Sequence, residues 1–220
     1  SFDGVDDYVD LTQTNISVQG NAPRSISAWV KTDGSGDPTI ISTGTPSISK
    51  CFNITVGMGT GNGIVGVMGY SNDFYPTSGT DITDNLWHYI SVTFDGSNLS
   101  IYVDGELDNS TNKTYNTQGQ MNEIGRNHHG NTHYLDGLID DVSIWNTALT
   151  QSEIQSYIST PPTGSESGLV GYWNFNEGSG TTLTDQTSNG NNGTINGATW
   201  STDVPPLPSL TSITIDGTSG

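Results

Sequence analysis

Only 5 of the 220 residues are lysine or arginine, against 23 aspartates and glutamates, which sets the formal charge at −18. A chain so short of cations cannot replace the counterions of a nucleic-acid backbone, and nucleic acid is excluded as a partner. The same shortage argues against an anionic membrane surface and against unaided binding of a highly sulfated glycan. Cysteine is nearly absent. Cys51 stands alone, with no partner for an internal disulfide, and its setting in KCFNITVG predicts a buried small hydrophobe on a strand rather than a nucleophile. No apolar run reaches the ~18 residues of a membrane helix, so membrane insertion is not expected. No signal peptide opens the chain, and SFDGVDDYVDL already alternates like a strand, so the sequence reads as a piece of a longer polypeptide. Hydrophobic residues are sparse at 31%, yet charged residues are only 13%, too few for an acidic disordered tail.

What is present is short-range alternation broken by glycine, which at 28 residues is about twice its usual share. In SISAWVKT, Ile26, Ala28 and Val30 fall on one face and Trp29 on the other, as in a strand covered on both sides. The clearest hairpin is LWHYISVTFDGSNLSIYVDGEL: Ile90, Val92 and Phe94 alternate, Asp95-Gly96 turns, and Leu99, Ile101 and Val103 alternate back. Asp104-Gly105 ends the return strand, and LDGLIDDVSIW forms a later one. One helix is predicted near residues 150–159. Thr150-Gln-Ser-Glu153 is a capping box, Ile154, Tyr157 and Ile158 form a stripe, and Pro161-Pro162 stops it. These patterns predict an all-β chain with one short helix. The expected organisation is a domain over 1–160, a linker over 161–167, a segment over 168–204, and a linker opening a further module over 205–220.

FDGVDDYV, SISAWVK, LWHYISVTFDG followed by IYVDGE, IGR, and YLDGLIDDVSIWNTALT occur in an order that resembles a laminin-G-like domain of the concanavalin A-like lectin/glucanase superfamily, over about residues 1–160. The resemblance implies a jelly roll, two antiparallel sheets packed face to face. GLVGYWNFNEGSGTTLTDQTSNGNNGTINGATW resembles a segment that in this family stands before the FDG strand, but here it follows the helix. It either opens a second repeat or folds back to complete the first domain. Fold-back is favoured, because Leu169, Val170, Tyr172, Trp173 and Phe175 need a surface to bury against, at ~1.5–3 kcal/mol for each large side chain.

Catalysis has little to stand on. A retaining glycosidase needs two carboxylates ~5–5.5 Å apart, as spaced glutamates and aspartates on one strand face would supply, and no such pattern occurs. Asp140 and Asp141 are adjacent, which on a regular strand points them to opposite faces. No catalytic residues are assigned. The resemblance implies a structural calcium tying the first strand to the last, and the matching positions are Asp3, the Gly4 carbonyl and Asp140. Calcium takes oxygen ligands of these kinds. Asp140 is expected to share the inward face of Val142 and Ile144, where a bare carboxylate is costly. Asp185, beside Asn189, Asn191 and Asn192, joins the metal set if the tail docks. His128, His129 and His133 lie in one loop, but its glycine and asparagine give little rigidity for zinc.

Carbohydrate recognition uses aromatic platforms and planar polar groups. Two loops have that composition. One carries Tyr70, Phe74 and Tyr75, and the other carries Arg126, Asn127, His128, His129 and Tyr134. Trp29, Trp87 and Trp145 are assigned to the core, and His88 to the packed sheet. The expected protein is a non-catalytic, calcium-stabilised, lectin-like module of a secreted or cell-surface bacterial protein. Its partners would be a polysaccharide or glycan and the neighbouring modules, and it would be monomeric. The alternative is a protein-adhesion or spacer module whose loops bind no particular glycan.

Overall fold

The computed structural model describes residues 1–206 apart from 12, 13 and 17, so most of the expected linker and further module at 205–220 lies outside the described residues. The strands are β1 (Phe2–Asp3), β2 (Tyr8–Asp10), β3 (Arg24–Thr32), β4 (Thr39–Ser42), β5 (Asn53–Val56), β6 (Val65–Met68), β7 (His88–Phe94), β8 (Asn98–Val103), β9 (Glu106–Asn112), β10 (Glu123–Ile124), β11 (Asp136–Trp145), β12 (Leu169–Trp173), β13 (Thr182–Leu183) and β14 (Gly193–Asn196). The helix α1 (Gln151–Ser159) lies between β11 and β12. One seven-stranded sheet runs β1-β11-β3-β7-β8-β9, with β12 also paired to β11. The other runs β13-β14-β2-β10-β4-β5-β6. Neighbours are antiparallel, and half of the pairings join strands that are not consecutive in the chain, the crossed connectivity of a jelly-roll sandwich.

Period-two alternation places the core. Ile90 faces Val103, Val92 faces Ile101 and Phe94 faces Leu99 across the β7–β8 hairpin. All six, with Ile26, Ala28 and Val30 of β3, belong to the cluster between the sheets. At the turn, the Asp95 carboxylate accepts from the N–H groups of Ser97 and Asn98, both at 2.8 Å. Trp29 points the other way, into an outer cluster with Tyr89, Trp145, Leu149, Ile154, Leu169 and Tyr172. The helix covers that outer face. Thr150 Oγ1 accepts from the Glu153 N–H, and the Glu153 carboxylate accepts from the Thr150 N–H at 2.7 Å. Tyr157 stacks on Trp145 with ring centroids 5.0 Å apart.

Residues 168–197 add strands to both sheets. β12 pairs with β11, setting Trp173 opposite Val142 and Tyr172 opposite Ser143. β14 pairs with β2, setting Ile195 opposite Val9. Trp173 is fully buried in the intersheet core and donates from Nε1 to the Asn191 carbonyl at 2.9 Å.

Two expectations need correction, and one strand lies where no alternation predicts it. The polar run ELDNSTN forms the edge strand β9, which the sequence did not reveal because only Leu107 in it is apolar. Trp87 is only partly buried, and its indole N–H donates to the exposed Asp203 at 2.9 Å. The alternation of β11 also breaks. The pairing with β3 shifts register between Asp140 and Ser143, and Asp141 takes a positive φ of 49°. That bulge absorbs one residue. Ile139, not Asp140, therefore joins Val142 and Ile144 in the intersheet core. Asp140 stands opposite Trp29 instead.

Candidate functional site

On β10, Ile124 faces inward with Val9 and Ile41, so its neighbour Glu123 faces outward with the residues opposite it, Asp10 and Ser42. Further along the same sheet, Asn53 of β5 lies opposite Met68 of β6. The loop after β10 crosses this outer face. Ser42 Oγ donates to the Arg126 carbonyl at 2.7 Å and accepts from the His128 N–H at 3.4 Å. Asn127 and Thr132 exchange backbone bonds of 2.9 and 3.2 Å, which closes the loop on itself.

The loop after β6 approaches from the side. Tyr70 and Ser71 both have positive φ, 54° and 65°, which reverses the chain, and Asp73 Oδ1 accepts from the Gly69 N–H at 2.9 Å. The two loops meet where the Tyr70 and His129 rings make an edge contact, centroids 4.6 Å apart. Beneath them Asn127 Nδ2 approaches Met68 Sδ at 3.8 Å. Tyr75 lies flat on backbone. A Cβ on Gly59 or Gly66 would come within 2.9 and 2.8 Å of its ring, so these positions need glycine. Its hydroxyl contacts Met58 Sδ at 3.2 Å, and burial raises it above the usual tyrosine range, with Asp73 adding to the effect. Phe74 packs against the intersheet core.

Several residues expected in an open recognition loop are buried. Arg126, Asn127 and His128 are 9%, 3% and 5% exposed. Arg126 makes a bidentate pair with Glu123, 2.7 Å on each arm, and its guanidinium lies 3.4 Å from the centre of the Tyr8 ring and 5.9 Å from that of Tyr134. Burial disfavours its charge, but the bonds to Glu123 and Tyr134 outweigh that and hold it above the usual range. Among the described residues His128 has no partner for either ring nitrogen, and burial, then His129 and Arg126, lower it to about 4, so the ring is neutral. The loop's polar composition predicts exposure, and the structure buries these groups. The available signal was Glu123-x-x-Arg126, an acid and a base placed to pair. Tyr70 and His129 are left at the rim, whereas Tyr134 lies against Arg126 and the Asn72 amide donates to the Thr114 carbonyl at 2.7 Å.

The expected metal ligands do not come together as read. Among the described residues, the group of three acidic side chains that converges is Asp3, Asp6 and Asp7, with ligand atoms within 4.8 Å of one another. Asp140 is outside it. Asp6 and Asp7 follow Asp3 and Gly4 closely in FDGVDDYV. Asp3 Oδ1 accepts from the N–H groups of Val5 and Asp6 at 2.9 and 3.4 Å, and Asp7 Oδ2 accepts from the Asp3 N–H at 3.0 Å. Burial raises the Asp7 carboxyl, and Asp3 raises it further. Gly4 lies beside the start of β11, its N–H donating to the Leu135 carbonyl at 2.9 Å. The Asp185 carboxylate is engaged inside the protein. It accepts from the N–H groups of Tyr172, Thr187 and Asn191 at 3.1, 2.9 and 2.8 Å and from the Thr187 hydroxyl at 2.7 Å.

Three other groups matter for chemistry. Asp140 is partly buried and raised to about 7, by burial first and then by Asp141. Asp141 accepts from the Tyr172 hydroxyl. His88, expected to pack in the sheet, instead bridges Asp104 at 2.8 Å and Asp84 at 3.2 Å. Burial opposes its charge, but the two carboxylates prevail and raise it. Burial pushes the Cys51 thiol up to about 12, which leaves it un-ionised.

A family model of the concanavalin A-like lectin/glucanases superfamily, of laminin G type, matches residues 3–155. No curated protein matches by sequence. Among solved structures, a candidate carbohydrate-binding protein from Bacteroides ovatus superposes with a TM-score of 0.72 at 21% identity, covering 94% of this chain. This chain spans 60% of that protein's length. A heptameric SAP-like pentraxin from Limulus polyphemus superposes with a TM-score of 0.52 at 14% identity, covering 71% of this chain and 79% of the pentraxin. Both likenesses are of fold. No helix among the described residues is long and apolar enough to cross a membrane.

Proposed function

Since the chain belongs to the laminin-G-type family of the concanavalin A-like lectin/glucanases superfamily, we propose that it is a non-catalytic carbohydrate-binding module of a secreted or cell-surface protein. One observation carries the reading: the two aromatic, amide-rich loops meet at the Tyr70–His129 contact, over a sheet face whose buried polar residues hold them in place. Rings at such a rim offer a face to sugar C–H groups, and the exposed His129 imidazole can meet a hydroxyl. The Bacteroides ovatus neighbour, described as a candidate carbohydrate-binding protein, is consistent with this.

A structural calcium belongs to the proposal, with Asp3, Asp6 and Asp7 as the residues that would hold it. Three converging carboxylates are the hard oxygen donors the ion takes, and the ion would offset their mutual repulsion. Arg126, Asn127 and His128, being buried, favour the second reading, an adhesion or spacer module without a particular glycan. A glycan array probed with and without calcium decides between them. The carbohydrate reading expects selective binding that falls roughly tenfold, about 1.4 kcal/mol, in Tyr70→Ala and His129→Ala. Absence of binding to any glycan, together with binding to a protein partner, would overturn it.

A further inference from the structure

β11 is covered along one edge by two short partners. β1 pairs at Asp136 and Gly137, and β12 pairs from Val142 onward. Residues 138–141 between them have neither partner, and the chain at 198–204 passes over that gap. It is tied down by the Thr199 N–H to the Ser1 carbonyl at 3.0 Å, and by Asp203 to Lys31 Nζ at 2.6 Å and to Trp87 Nε1 at 2.9 Å. A slot of about 50 Å³ remains beneath it. Its walls include the rings of Trp87, Phe175 and Trp200 with Ile139 and Ile195, and the exposed Ser201 and Val204 stand at its rim.

One carboxylate lining this slot has no ion-pair contact among the described residues. Asp203 is engaged by Lys31 and Trp87, whereas Asp140 accepts only from the Asp141 N–H, at 2.9 Å, and makes no ion pair among the described residues. The Ser1 ammonium also lines the slot and attracts Asp140 through space, but its hydrogen bond goes to the Thr199 carbonyl, at 2.5 Å, and it forms no ion pair with Asp140. Aromatic faces attract cations, and a partly buried carboxylate without an ion-pair contact favours one. The volume admits three or four waters or one short alkyl chain.

We propose that the slot under residues 198–204 is a binding site for a short alkylammonium group, its chain between Trp87, Phe175 and Trp200 and its charge on Asp140. The site is separate from the Tyr70–His129 rim and does not depend on carbohydrate binding. The probes are n-butylammonium, n-butanol and butyrate, titrated at pH 8.5 into the whole chain and followed by the indole N–H resonances. Butylammonium should move the Trp87 and Trp200 resonances but not those of Trp29, Trp145 and Trp173. It should bind at least tenfold more tightly than butanol, and butyrate should not bind. Asp140→Asn should bring the amine down to the level of butanol. Equal binding of all three probes overturns the proposal, as does a response spread over all five indoles or no response to the amine. Retained amine preference in Asp140→Asn overturns the role of the carboxylate.

Discussion

At the scale of single residues, the adjacent carboxylates at the β11 bulge are a cost that pH can switch. Asp140 holds its proton to about pH 7 in the folded chain, through burial and the repulsion of Asp141, whereas an unfolded aspartate loses it near 3.9. Between those values the folded state binds more protons than the unfolded one, so stability falls as pH rises through that window. Asp140→Asn should therefore stabilise the protein at pH 8, by about 1–2 kcal/mol once solvent screening of this partly exposed group is allowed for, and have little effect at pH 4. Thermal melts of both proteins at the two pH values test this, and an equal shift at both would show that charge is not the cause. The bulge itself was not legible. Nothing in LIDDV announces a left-handed aspartate, because that conformation is imposed where β11 changes partners from β1 to β12. The burial of Arg126, Asn127 and His128 was hidden for a related reason, since composition reports polarity and not what lies over it.

At the scale of elements, legibility follows local pattern. The β7–β8 hairpin and the capped helix could be read because their signals, alternation, Asp-Gly and a Thr-x-x-Glu box, are complete within about 16 residues. The edge strand β9 could not, since its bonds come from β8 and its own side chains are nearly all polar. β12 draws its stability from remote partners. Trp173 is enclosed by both sheets, Leu169 and Tyr172 by the outer cluster, and the loop beyond is gathered on the Asp185 carboxylate. Trp173→Ala should cost roughly 3–5 kcal/mol, about 6–20 °C in melting temperature for a domain of this size. Deleting residues 165–220 should lower it further and promote aggregation, because the β11 and β2 edges and their apolar surface are uncovered. An unchanged midpoint in both variants would mean that β12 is not part of the cooperative unit.

At the scale of the whole molecule, a charge of −18 on 220 residues sets up a mutual repulsion that cations in the surroundings relieve. Two effects of a cation must be told apart. Any salt screens the diffuse repulsion, since the Debye length falls from ~10 Å at 0.1 M to ~3 Å at 1 M. A divalent ion on Asp3, Asp6 and Asp7 would act locally, where the tail also approaches: a Cβ on Gly197 would come within 2.0 Å of Asp7 Oδ1, so the β14 turn lies directly on this loop. An ion bound only to the folded state, at a hundred times its dissociation constant, adds ~2.7 kcal/mol, or roughly 5–11 °C at ~2–4 °C per kcal/mol. Chelation in 0.5 M sodium chloride should therefore still lower the melting temperature, because sodium supplies screening but not the site. Asp6→Asn combined with Asp7→Asn should remove that difference while leaving the chelated midpoint nearly unchanged or higher, since two repelling charges are lost. Asp185→Asn should behave oppositely, lowering the midpoint equally with and without calcium, because its oxygens already serve Tyr172, Thr187 and Asn191. If high sodium chloride abolishes the effect of chelator, the acidic surface is only being screened, and Asp3, Asp6 and Asp7 hold no ion.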